Sequence, residues 1–247
     1  MMFIFKKKEI VVDAFTTNHS AFSNFPIERS SKFFPDWWKK LPSYNTRNVS
    51  GIEIPSSTIR QCDGLIDLYK NGFMLPLWTD LIIETDTTGK WKYISALEMK
   101  IVEHARNQYG SSFDEYIHFK FFSPWIIREK TGVNFTYIPP MWNNINYWNH
   151  MHFLPGTVNY KTQSSSHVNV FVNKINQSIN LQAGMPLLHI MPNSDKKTII
   201  KCHLVNKQEY DKLDLFLQYT SFNNNQRNFK KIIEKKESES KCPFGFK

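Results

Sequence analysis

The chain has 247 residues, 41% of them apolar and 15% aromatic, with a net charge of +9, so it has ample material for a packed core and lacks the composition of a disordered chain. Its three cysteines, Cys62, Cys202 and Cys242, are far apart and form no CxxC pair, which excludes a disulfide scaffold and a cysteine-built zinc site and points to a reducing compartment. The apolar opening run precedes Lys6 to Lys8, the reverse of a secretory signal, and no segment approaches about 18 apolar residues, so the expected location is the cytosol or a virion.

Residues 1–50 open on strand-like FIF and EIVVDAF and pass into a loop punctuated by Pro26, Pro35 and Pro42. The prolines exclude a long helix around Trp37 and Trp38, but one short turn started by Pro35 would place the two indoles on adjacent faces. Residues 58–71 have apolar side chains at three and four (Ile59, Cys62, Leu65, Ile66, Tyr69) and end at Gly72, the pattern of a short helix with a glycine after its C-cap. Phe73 to Glu84 is an apolar run interrupted by Pro76, and Asp86 to Gly89 before Trp91 marks a hairpin. Residues 97–109 bring Leu97, Ile101, Val102 and Ala105 to one side and stop before Gly110, which predicts a short amphipathic helix.

Strands are then expected at 117–122, 125–128, 133–138, 154–160, 168–172, 175–181, 186–191 and 198–204, with turns at Glu129 to Gly132, Pro139-Pro140 and Ala183-Gly184. Tyr210, Leu213 and Leu217 fit one helix face; Phe229, Ile232 and Ile233 fit a second, heavily basic helix. The reading is a mainly β, α+β chain with a sandwich or barrel-like core at 51–205. Residues 1–50 supply a strand and aromatic loop packed on it, and 206–247 form a helical basic tail.

Candidate chemistry is sparse. Neither a phosphate loop nor a dinucleotide fingerprint nor a G-x-S-x-G elbow occurs, and Cys202 beside His203 would face the opposite way on a strand. His150 and His152, two apart on a strand, would share a face, and His189 on a later strand offers a third metal position; hydrogen-bonded structural histidines are the alternative. His104 and Gln108, one helical turn apart, would share a face and are candidates for a polar ligand. The aromatics Trp37, Trp38, Trp142 and Trp148 either cover the core or offer a stacking platform. No cofactor is indicated. The basic tail would attract nucleic acid, although no nucleic-acid motif accompanies it, and other proteins remain the alternative partners.

Several phrases converge: FFPDWWKKLP (33–42), TIRQCDGLIDLYKNGFMLPLWTDL (58–81), HFKFFSPWIIREKTGVNFTYIPP (118–140), LPGTVNY (154–160), QAGMPLLHIMP (182–192) and the terminal KCPFGFK. Together they resemble a family of uncharacterised proteins of bacteriophages, notably cyanophages, and of some bacteria. That resemblance implies a phage accessory or virion-associated protein that works by binding, in the host cytoplasm or the virion, and transfers no catalytic residue. Residues 154–192 are also loosely similar to the closing strands of dUTPase-like β-clip folds. There an acid activates water; here Asn159 stands in the corresponding hairpin, which implies binding without hydrolysis. The alternative function is a metal-dependent or nucleotide-processing enzyme of cupin-like or β-clip-like fold.

Overall fold

The computed structural model describes residues 9–215 together with 226, 227, 230 and 231. In chain order the elements begin with β1 (Ile10–Thr16), α1 (His19–Ser23), β2 (Glu28–Arg29), α2 (Asp36–Lys40), β3 (Tyr44–Val49), β4 (Ile52–Ser57) and α3 (Asp63–Lys70). There follow β5 (Phe73–Pro76), β6 (Leu81–Thr85), β7 (Trp91–Ser95), β8 (Lys100–Glu103), β9 (Tyr116–Phe122), β10 (Ile126–Glu129) and β11 (Asn134–Ile138). The last strands are β12 (Met151–Phe153), β13 (Gly156–Asn159), β14 (Val168–Asn173), β15 (Gln177–Leu181), β16 (Pro186–Pro192) and β17 (Thr198–Leu204), before helical residues 207–215.

The strands form several sheets, none closed into a barrel among the described residues, so the mainly β expectation holds and its barrel-like alternative does not. The orders are β10-β1-β17, β13-β11-β16-β5-β2, β12-β14-β9-β8 and β15-β6-β7, with β3 and β4 paired only to each other. All pairings are antiparallel except β1 with β17. The inner faces of the four larger groups meet in one core that includes Val12, Phe73, Ile83, Phe119, Phe121, Phe135, Val170 and Leu188. Removing each such side chain from water contributes roughly 1.5–3 kcal/mol before entropy is charged against it. The β3–β4 hairpin contributes nothing to this core, since every residue of it except the half-buried Ser56 is exposed.

Local chemistry explains the punctuation. Gly72, at φ +75°, follows α3 so closely beneath β16 that a Cβ there would sit 2.4 Å from the Ile190 carbonyl oxygen, so only glycine fits. The Asp86 carboxylate accepts from the Thr88 and Lys90 amides and sets the β6–β7 turn. Buried Glu129 accepts from the amides of Thr131, Gly132 and Val133, which folds the turn expected there.

The expected helix over 97–109 does not form. Lys100–Glu103 is a strand paired with β9, and only Arg106–Gln108 makes a tight 3-10 turn. Pairing of Ile101 with Phe121 buries the same apolar side chain that a helix face would have buried, and the ladder along β9 decides between them. Residues 10–29 are woven into the larger sheets, through β1 between β10 and β17 and β2 beside β5. The expected basic second helix falls largely outside the described residues.

Candidate functional site

The outer face of the β12-β14-β9-β8 sheet concentrates the chemistry. On β9 every second residue points inward (Ile117, Phe119, Phe121), so Tyr116, His118, Lys120 and Phe122 point out. The register then lays side chains in rows across the strands. Phe171 lies opposite both His152 and His118. The amide of His104 donates to the His118 carbonyl at 2.8 Å, extending the row past β8. His152, Phe171, His118 and His104 thus form a line of four flat side chains over four strands.

Three of the four rings are in contact along that line, while His152 meets Tyr116. His104 stacks on His118 with centroids 4.2 Å apart, and Phe171 meets His118 edge to face at 4.9 Å. Four residues further along β9, His167 lies 4.4 Å from Phe122, and the ammonium groups of Lys100 and Lys120 sit 4.7 and 5.2 Å from the same Phe122 ring. Neither lysine makes a salt bridge to a described residue. The segment 105–115 lies over the first row, with Tyr109 edge-on to His118 at 5.5 Å and Phe113 4.8 Å from Phe171.

Polar satisfaction separates this face from the rest of the molecule. Both ring nitrogens of His118 and Nδ1 of His167 are shielded and make no hydrogen bond of normal geometry within the protein, the Asn169 side chain being the polar group that comes near His118. The other two such side-chain atoms among the described residues, Ser30 Oγ and Trp125 Nε1, occur singly elsewhere. Buried polar groups are nearly always paired, so three orphans on one face mark a place where a partner is missing. Burial, and then the neighbouring His104, lowers the His118 pKa to about 4. Burial, then Lys120 and Lys100, lowers that of His167 to about 4. Both imidazoles are therefore neutral at pH 7, each with one donor and one acceptor nitrogen to offer.

The candidates named from sequence fall into three groups. His104 and Gln108 do meet, with Nδ1 and Oε1 2.6 Å apart, but through a strand end and a 3-10 turn instead of a helix face. His104 Nε2 also lies 3.3 Å from Asn169 Oδ1, which ties the pair to the face described above. His152 belongs to the row itself and, with Trp148, Met141 and Met151, lines a cavity of about 120 Å³. Trp148 is otherwise anchored by its indole N–H to the Met141 carbonyl.

A second group is absorbed by architecture. Trp37 and Trp38 lie on the expected short helix, α2. The Trp37 indole donates to the Trp142 carbonyl at 2.9 Å, and Trp38 donates to the Ile59 carbonyl at 3.3 Å while stacking on Phe34, which in turn stacks on buried Tyr69. Asn143 closes the arrangement by accepting from the Tyr69 hydroxyl and donating to the Phe33 carbonyl. Asn159 is a turn-holder: its amide nitrogen donates to Gly132 and Asn134 oxygens and its oxygen accepts from the Lys161 amide.

The third group, the suggested metal set, is dispersed. β12 begins at Met151, so His150 stands before the strand and bonds Gln177 through Nδ1 at 2.7 Å, and it does not share a strand face with His152. His189 is buried 2.7 Å from the Asn71 carbonyl. Among the described residues no three His, Cys, Asp or Glu side chains are grouped to hold a metal ion.

His118, His167, Lys100, Lys120, Phe122, Asn169 and Phe171 were not singled out from sequence. A signal for some of them was available in the two-residue alternation Tyr116, His118, Lys120, Phe122. No family model, curated protein or solved structure matches the chain. Among the described residues no helix is long and apolar enough to cross a membrane.

Proposed function

We propose that this is a phage accessory or virion-associated protein that works by binding, and that the outer face of the β12-β14-β9-β8 sheet is where it binds. The setting follows from the resemblance of its turn-rich phrases to phage proteins. The observation that carries the binding face is the cluster of orphaned ring nitrogens on His118 and His167, within a surface of flat side chains. Such a surface favours a ligand with a planar, hydrogen-bonding ring, because stacking supplies affinity and the orphaned nitrogens supply orientation. Tyr109 and Phe113 already place aromatic rings against this row. A heterocycle on this row would have to replace them, with the segment 105–115 displaced.

Titration of the protein with adenosine, guanosine, cytidine and uridine, followed through the histidine ring signals by long-range proton–nitrogen NMR, tests this reading. The signals of His104, His118 and His152 are expected to shift in a saturable way, while those of His189 and His203, on other parts of the molecule, stay in place. Indifference of the face histidines to all four nucleosides, or an equal response of His189 and His203, overturns it.

A further inference from the structure

Resting on that reading of the face, we propose that its ligand is single-stranded nucleic acid, with a backbone phosphate held between Lys100 and Lys120 and neighbouring bases laid on Phe122 and the His118 row. The argument starts from charge. Two lysines from adjacent strands converge on one phenyl ring, and no described carboxylate pairs with either. Other described lysines, Lys40, Lys90, Lys161 and Lys201 among them, also have no salt bridge, so what distinguishes Lys100 and Lys120 is their convergence on the one Phe122 ring. The nearest acid on β8, Glu103, is engaged by the Trp91 indole N–H at 2.6 Å. Like charges held together without a counter-charge are a site for an anion.

The shape of the surroundings selects the anion. Phe122 and His167 are half-buried rings beside the lysines, and the line of His104, His118, Phe171 and His152 runs parallel to them across the same sheet. Phosphates repeating along a chain, each with its own flat base, match cations and rings arranged in parallel rows on a sheet. Free phosphate would use the lysines and leave the rings idle. Duplex would offer phosphates, but its bases are stacked on one another and unavailable to a protein ring.

Fluorescence anisotropy with labelled oligothymidine and oligouridine, a duplex of the same length and the corresponding mononucleotides tests the proposal on the full chain. The single strands are expected to bind more tightly than duplex or mononucleotide. In the Lys100→Gln/Lys120→Gln double variant, affinity for the single strands falls by roughly tenfold at low salt, and the slope of log affinity against log salt becomes shallower by about 0.7, the contribution of the one phosphate held between them. The basic C-terminal stretch is common to all proteins compared, so it cancels in that difference. A Lys70→Gln/Lys92→Gln variant, whose lysines are ion-paired on other elements, keeps the wild-type slope.

An unchanged slope in Lys100→Gln/Lys120→Gln, or duplex bound as well as single strand, overturns the proposal. So does absence of oligonucleotide binding. If the nucleosides still shift the face histidines in those cases, the ring-binding face stands and only its nucleic-acid assignment fails. If the nucleosides are also without effect, both fall together.

Discussion

Two aromatic regions of this molecule are built from similar side chains and end in opposite states. Around α2, Phe34, Trp38 and Tyr69 stack in succession, and the polar atoms of Trp37, Trp38, Tyr69 and Asn143 find partners inside the protein. Across the β12-β14-β9-β8 sheet, His104, His118 and Phe171 also pack ring on ring, but the two nitrogens of His118 and Nδ1 of His167 find none. A conspicuous run of tryptophans is therefore weaker evidence of a binding site than unsatisfied polarity. The first region has spent its hydrogen bonds on closing the fold, while the second has kept them.

The largest effect that separates the regions is on stability. Tyr69→Ala removes a buried ring that stacks on Phe34 and bonds Asn143, and is expected to cost about 3–5 kcal/mol in denaturant unfolding while leaving nucleoside affinity at the histidine face unchanged. A loss below about 1 kcal/mol would show that the α2 region is not the closed structural cap described here.

His118→Phe has the reverse sign. It keeps a ring of similar shape and removes two shielded nitrogens without partners, so the unfolding midpoint rises by the equivalent of about 1 kcal/mol. A fall instead would mean that those nitrogens are already satisfied, and the contrast between the regions would vanish.

A further contrast lies in the pH profile. His118 and His167 have pKa values near 4 in the folded chain, against about 6.5 unfolded. Between those limits the unfolded chain binds more protons, so their contribution to stability is present above pH 6.5 and is lost as pH falls towards 4. Thermal melting of His118→Phe/His167→Phe is expected to decline less steeply than wild type over that window. Parallel profiles would show that these imidazoles are not held neutral by the fold.

The strands were largely legible because their periodicity is local. Tyr116 to Phe122 alternates strictly between half-buried and buried, and the turns at Gly72, Asp86 to Gly89 and Glu129 to Gly132 fall where glycine and acidic side chains mark them. Residues 97–109 were not, since Leu97, Ile101 and Ala105 repeat at four and so mimic a helix face until β9 pairs with Lys100–Glu103. The histidine row was hidden for a different reason. His104, His118, His152 and Phe171 become neighbours only through registers set by strands far apart in the chain, and no spacing within one segment encodes that row.

The parallel pairing of β1 with β17 also governs the order of assembly. β1 has its two neighbours at Ile126–Glu129 and Thr198–Leu204, so on the ribosome it emerges long before either, and its final sheet cannot close until the last described strand is synthesised. Contacts this distant in sequence slow folding and keep the early strand's edges open to wrong partners meanwhile. A nascent chain stopped before residue 198 would carry β1 without its parallel neighbour, leaving exposed the kind of strand edge that chaperones bind and aggregates recruit.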